Sequence, residues 1–198
     1  MIVTSKELYE KYKNFSNQKS KIQREIENGN LIRLNRGIYE DNKNVEGYLL
    51  SGALESPSYL SFEYALSKYN LIPERVKVYT SATSLKKHNK TIQNYFGTYT
   101  YTDVPVNVWR LGIKIIKEGE YSYLMATPEK ALCDVLYKKR QVTSIIQLKT
   151  LLFDDLRIDE EVFNNLDLKS IIENCDLYKR KNLYFLKKYL IKEVKKNG

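Results

Sequence analysis

The sequence is short of the residues on which several large functional classes depend. Its two cysteines, Cys133 and Cys175, lie in separate apolar, helix-like runs with no Cys-x-x-Cys pair. That argues against a disulfide framework or zinc module and leads us to expect a cytoplasmic protein. The one histidine, His88 in Lys86-Lys87-His88-Asn89-Lys90, has no ligand or triad partner in view and is expected to be solvated. Only eight glycines occur, in neither a dinucleotide-binding nor a P-loop pattern, so no cofactor is called for. No apolar run approaches the ~18 residues of a membrane span. The start, Met1-Ile2-Val3-Thr4-Ser5-Lys6-Glu7, lacks the basic-then-apolar order of a secretion signal.

What the chain has in excess is positive charge. Its 198 residues carry 33 Lys and Arg against 24 Asp and Glu, a formal net charge of +9, which favours an anionic partner such as nucleic acid. Apolar residues make up 42% and aromatics 12%, including 17 tyrosines, enough for a folded core. The length suits one ordinary domain, or a small module and a medium one.

The opening residues read as two helices and a hairpin. Thr4-Ser5-Lys6-Glu7 has the form of a capping box, and Leu8, Tyr9 and Tyr12 share a face over residues 4–13. A second helix spans Asn17 to Asn28, with Ile22 and Ile26 inward and Gly29 at the C-terminal cap. Leu31–Leu34 and Ile38–Tyr39–Glu40 then form short strands around the turn Asn35-Arg36-Gly37. The polar stretch Asp41 to Val45 is taken as a linker, which divides the chain into residues 1–44 and 45–198. No internal repeat or low-complexity tract is present.

Beyond it, Ser61 is expected to cap a helix with the stripe Phe62, Ala65, Leu66, Tyr69, ending near Asn70. Strands are expected at 76–81, 95–102, 106–109, 113–117 and 121–125. Thr127-Pro128-Glu129 starts a run of helices to the C-terminus. The last helix sets Leu183, Leu186, Leu190 and Val194 beside lysines, with eight cations against Glu193 from residue 178 onward; it reads either as an ordinary amphipathic helix docked on its own domain or as a source of diffuse attraction to a phosphate backbone. The fold class is therefore α/β in composition, of α+β type, with a winged helix-turn-helix followed by a larger mixed domain.

Plotted at ~100° per residue, the second helix places Asn17, Ser20, Lys21 and Arg24 opposite its isoleucines, with Gln23 on the flank. Arg pairs bidentately with guanine, Asn and Gln pair with adenine edges, and Ser, Lys and Arg hold phosphates. Arg33 and Arg36 sit on the hairpin, where a wing reaches a phosphate backbone or a minor groove. The candidate duplex-DNA set is Asn17, Lys19, Ser20, Lys21, Gln23, Arg24, Arg33, Asn35 and Arg36.

No catalytic constellation competes with it. Glu55, Glu63, Asp103, Glu129 and Asp134 lack the spacing of a two-metal centre. Glu129 reads as a helix-dipole partner and Lys130 with Asp134 as an i, i+4 pair. Cys133 reads as a small core residue.

Several blocks together carry a family resemblance. These are Leu34-Asn35-Arg36-Gly37-Ile38-Tyr39, Pro57-Ser58-Tyr59-Leu60-Ser61 with Ala65-Leu66 and Leu71-Ile72-Pro73, Tyr79-Thr80-Ser81-Ala82-Thr83, Gly97-Thr98-Tyr99, and Ala126-Thr127-Pro128-Glu129-Lys130-Ala131-Leu132-Cys133-Asp134. In order and spacing they resemble the AbiEi antitoxin family of type IV, abortive-infection toxin–antitoxin systems of phage defence. The resemblance extends from residue 1 to about residue 140. It implies an N-terminal winged helix-turn-helix that represses its own operon, through operator DNA of inverted repeats upstream. It also implies a C-terminal domain that neutralises a nucleotidyltransferase toxin, a functional partner with no direct complex assumed. The chain departs from the pattern at Asn70, where relatives often carry Gly. Asn is the next residue suited to a left-handed helix end.

Two other readings remain. A nuclease or nucleotidyltransferase with a basic docking module predicts metal-dependent turnover, and an RNA-binding module would use the many Lys and Tyr to hold single strands.

Overall fold

The computed structural model describes residues 1–87 and 89–197, the side chains of 194–197 excepted. His88 and the side chain of Val194 therefore lie outside the described residues. The fold is α+β, with a three-stranded sheet and a six-stranded sheet.

The chain opens with β1 (Ile2–Thr4), α1 (Ser5–Lys11), α2 (Gln18–Glu27), β2 (Ile32–Asn35) and β3 (Ile38–Glu40). The Thr4 and Glu7 side chains complete the expected capping box at the start of α1, and the Asn17 side chain caps α2. Helix α2 ends in a Schellman turn: Gly29 N–H donates to Ile26 and Asn30 N–H to Glu25, while Gly29 takes the positive φ of +74° that glycine adopts without strain. Leu8, Tyr12, Ile22, Leu31 and Tyr39 form a small core of their own, with Val3 and Ile26 packed against it. Tyr9, expected inside with Leu8, is exposed instead, because α1 turns only Leu8 and Tyr12 toward α2 and the hairpin.

The hairpin is irregular in a consequential way. Its register passes from Arg33 opposite Tyr39 to Asn35 opposite Ile38, leaving Leu34 as an extra residue. Such a bulge re-aims a side chain, and Leu34 joins the larger core while its neighbours Leu31 and Tyr39 stay in the small one. The Asn94 amide donates to the Leu34 carbonyl at 3.2 Å. The Tyr121 hydroxyl donates to the buried Glu40 carboxylate at 2.9 Å.

The larger unit contains α3 (Ser51–Leu54), β4 (Tyr59–Leu60), α4 (Phe62–Lys68), β5 (Tyr79–Thr83), β6 (Lys90–Asn94), β7 (Gly97–Asp103), β8 (Ile113–Glu118) and β9 (Tyr121–Ala126). The strands order as β6-β7-β5-β4-β9-β8, with β5 parallel to β7 and β4 parallel to β9. Helices follow as α5 (Pro128–Lys138), α6 (Ile145–Lys149), α7 (Glu160–Asn164), α8 (Leu168–Cys175) and α9 (Lys181–Asn197), with a π-helical turn over Thr150–Asp155. Thr127 caps α5 with Pro128 in its first turn, as expected. Asn70 takes φ +57°, and the bonds from Asn70 N–H to Ser67 and from Leu71 N–H to Leu66 close α4 in the same manner as α2.

Three further expectations are corrected. Residues 106–109 are not a strand but a 3-10 turn following Pro105, because Val108 and Trp109 N–H bond three residues back, to Pro105 and Val106, and Val108 is buried in the turn. The strand expected at 76–81 runs instead from Tyr79 to Thr83, the span that pairs with β7. Ser61 stands at the start of α4 without capping it, because its hydroxyl is drawn to a buried carboxylate.

Candidate nucleic-acid interface

Helix α2 and the hairpin enclose an open groove of about 620 Å³. Lys19, Ser20, Gln23 and Arg24 line it from α2, Arg33 and Tyr39 from the hairpin, and Tyr9 from α1. The position of Arg33 is set by its strand partner Tyr39, over whose ring its guanidinium sits at 5.8 Å. Glu27, the acid of the lining, accepts from the Gln23 amide at 3.0 Å. The cations of the groove therefore run along α2 from Lys19 to Arg24 in its last turn and onto the hairpin, and only the end of α2, at Glu27, is less attractive to phosphate. Arg36 is exposed in the turn between β2 and β3, outside the groove lining.

The remaining sequence candidates take other places. Lys21 is half-buried, ion-paired with Glu25, and lies over the rings of Tyr12 and Phe15 at 5.7 and 5.3 Å. It braces α2 against α1, and the bond from Lys21 holds the Glu25 carboxyl below its ordinary range. The Asn17 side-chain oxygen accepts from Ser20 N–H at 3.0 Å, and that of Asn35 accepts from Arg36 N–H at 2.8 Å. Each has its oxygen engaged locally, which leaves the amide NH2 as its free donor. Tyr9, Tyr39 and Glu27 line the groove without belonging to the candidate set drawn from the sequence. Tyr39 had a signal, its position opposite Arg33 across the hairpin.

A second polar cluster is buried in the larger unit. Lys130 and Asp134, expected to form an ordinary i, i+4 pair, meet at 2.8 Å with 5% and 0% of their side chains exposed. The Asp134 carboxylate also accepts from the hydroxyls of Tyr59 (3.0 Å), Ser61 (2.8 Å) and Tyr178 (2.7 Å). Burial, with Asp134 alongside, pushes the Tyr59 and Tyr178 hydroxyls well above the usual phenol range, so both stay protonated as donors. The cluster ties β4, α5 and the segment before α9 together. Cys133 is buried beside it; a hydrogen bond with Cys175 and burial both push its thiol up, consistent with a core residue.

The scattered carboxylates are occupied separately. Glu55 pairs with Lys86 and Lys90, and Glu63 with Lys139. Asp103 accepts from the Thr83 hydroxyl and Lys87 N–H, and Glu129 from the Asp167 N–H. Among the described residues no group of three His, Cys, Asp or Glu side chains is arranged to hold a metal ion, and no helix is long and apolar enough to cross a membrane.

The lysine-rich α9 docks through Leu183, Leu186 and Leu190, all fully buried. Lys187 pairs with Asp176 and Lys188 lies 4.5 Å over the Tyr184 ring, while Lys192 is exposed. No protein-family model and no curated protein matches the chain.

Proposed function

We propose that the protein is a DNA-binding autorepressor and antitoxin, with residues 1–44 acting as a winged helix-turn-helix and residues 45–198 acting against a nucleotidyltransferase toxin. The observation that carries the DNA reading is the groove itself: Lys19, Ser20, Gln23 and Arg24 on one helix face Arg33 across it. An α-helix fits the major groove of B-DNA, where Arg24 and Gln23 are the side chains suited to base edges and Lys19 and Ser20 to phosphates. Arg33 and Arg36 then meet the flanking backbone. The antitoxin part rests on the resemblance of the sequence blocks to the AbiEi family. In this reading the protein acts inside the cytoplasm, without a cofactor and without turnover.

The test is fluorescence anisotropy on duplex DNA from upstream of the protein's own gene. Arg24→Ala should cost about 1–3 kcal/mol on the operator and relax preference at one base pair. Lys19→Ala should weaken operator and random duplex alike. Equal affinity for operator and random duplex in the unaltered protein would refute the repressor reading. Failure of the full chain to protect cells expressing the neighbouring nucleotidyltransferase would refute the antitoxin reading.

A further inference from the structure

A second groove of about 370 Å³ opens on the larger unit, within the ~300–1,000 Å³ range of small-molecule sites. Its floor is tyrosine. Tyr48, Tyr64 and Tyr79 line it, and their rings belong to a continuous ladder: Tyr123 to Tyr48 at 5.4 Å, Tyr48 to Tyr64 at 6.2 Å, Tyr64 to Tyr79 at 5.4 Å and Tyr79 to Tyr99 at 5.0 Å. Tyr64 is only 5% exposed, yet among the described residues its hydroxyl has no hydrogen-bond partner, whereas Tyr48 donates to Glu118 at 2.6 Å.

The rim is cationic. Lys68, Arg75 and Lys77 line the groove, and Lys68 sits 4.3 Å over the Tyr48 ring. None of the three has an ion-pair partner among the described residues. Glu74, adjacent to Arg75 in sequence, is taken by Arg157 at 2.9 Å. Glu46, the acid of the lining, supplies an acceptor for a base amino group, and Tyr64 a neutral hydroxyl.

We propose that this groove binds a nucleoside polyphosphate, its base on the tyrosine floor and its phosphates on Lys68, Arg75 and Lys77. Tyr64 and Tyr79 meet edge to face at 73°, which leaves the half-buried Tyr79 as the ring for the base, and an aromatic ring beside cations without carboxylate partners recognises that combination of aromatic base and polyanion. Neither an apolar metabolite nor a bare anion uses both halves. The site shares no residue with the duplex-binding groove, and neither proposal depends on the other.

The experiment is calorimetric titration of the full chain with ATP and GTP, beside guanosine and inorganic triphosphate as half-ligands. One-site saturation is expected for at least one nucleotide, with each half-ligand weaker by about tenfold or more. The exposed pair Arg75→Glu with Lys77→Glu should weaken the nucleotide at least about tenfold while the thermal melt is unchanged. Arg24→Ala should leave nucleotide binding untouched, which separates failure here from failure of the duplex reading. The proposal is overturned if no nucleotide saturates the protein at millimolar concentration, or if inorganic triphosphate binds as tightly as the nucleotide. It is equally overturned if a single-stranded oligonucleotide depends on Arg75 and Lys77 while no mononucleotide binds.

Discussion

Replacing Lys130 with Met removes the ammonium from the buried Asp134 carboxylate and leaves the rest of the cluster in place. Deleting one partner of a buried ion pair costs about 3–5 kcal/mol, because the other charge remains out of water. Asp134 is completely buried but keeps donors from Tyr59, Ser61 and Tyr178, which puts Lys130→Met at the low end, about 3 kcal/mol. In a chain of this size each kcal/mol moves the melting temperature by ~2–4 °C, so a fall of ~6–12 °C is expected. The double variant Lys130→Met with Asp134→Asn removes the stranded charge while keeping an acceptor for the hydroxyls. It should recover about half of the loss, giving a coupling energy above about 1 kcal/mol in a double-mutant cycle. Urea unfolding followed by circular dichroism reads all four proteins. A single-variant cost under about 1 kcal/mol, or strictly additive effects, would refute the account of this cluster as an internal brace.

Three further outcomes are expected. Arg36→Ala should weaken binding to every duplex and flatten the dependence of log K on log salt by about 0.9 per lost phosphate contact, read by anisotropy across a salt series. Glu7, whose carboxyl accepts from the Thr4 N–H and hydroxyl, is held below its ordinary value of 4.5. Its stabilising contribution is therefore complete above that value and lost as pH falls through the lowered one; the difference in melting temperature between the protein and Glu7→Gln should vanish in acid, and a constant difference would contradict this. A β-carbon on Gly47 would lie 2.5 Å from the Tyr79 ring and 2.6 Å from the Phe96 carbonyl oxygen, so Gly47→Ala should cost about 1–3 kcal/mol, with unchanged urea stability as the contrary result.

Local signals carried the helices and hairpin of the N-terminal unit, but not β1, a three-residue strand that exists by pairing with β3 at the other end of the unit. The box at Thr4 and Glu7, the isoleucines of α2, Gly29 and the turn at Arg36 and Gly37 act within one turn or hairpin, so their consequences are readable residue by residue. The same logic served Asn70 and Thr127-Pro128. It failed where a partner distant in sequence decides the outcome. The edge strand β6 carries a single apolar residue, Ile92, and β4 has only two residues, Tyr59 and Leu60. Ser61 looks like a cap until Asp134, 73 positions away, claims its hydroxyl. On the candidate interface, helical projection put Lys21 beside Arg24, but a long side chain can lean along its helix, and the rings of Tyr12 and Phe15 with the Glu25 carboxylate turn it inward. The Tyr48–Tyr64–Tyr79 floor was invisible for the same reason, since its members come from three separate segments.

The shortest strand has the longest reach in time. Tyr59–Leu60 pairs with Ser81 and Ala82 on one side and with Met125 on the other, joining β6-β7-β5 to β9-β8. During synthesis at ~5–20 residues per second, the helix pair and hairpin of the first 40 residues have all their partners for the small core well before that joint can close. One edge of β4 stays open until Met125 has left the ribosome, several seconds later, and such non-local pairing is slow to form. The nascent chain therefore carries a complete basic groove while the half of the protein that follows is still an unfinished sheet, and an open strand edge of this kind is where a chaperone or a second nascent chain would find its purchase.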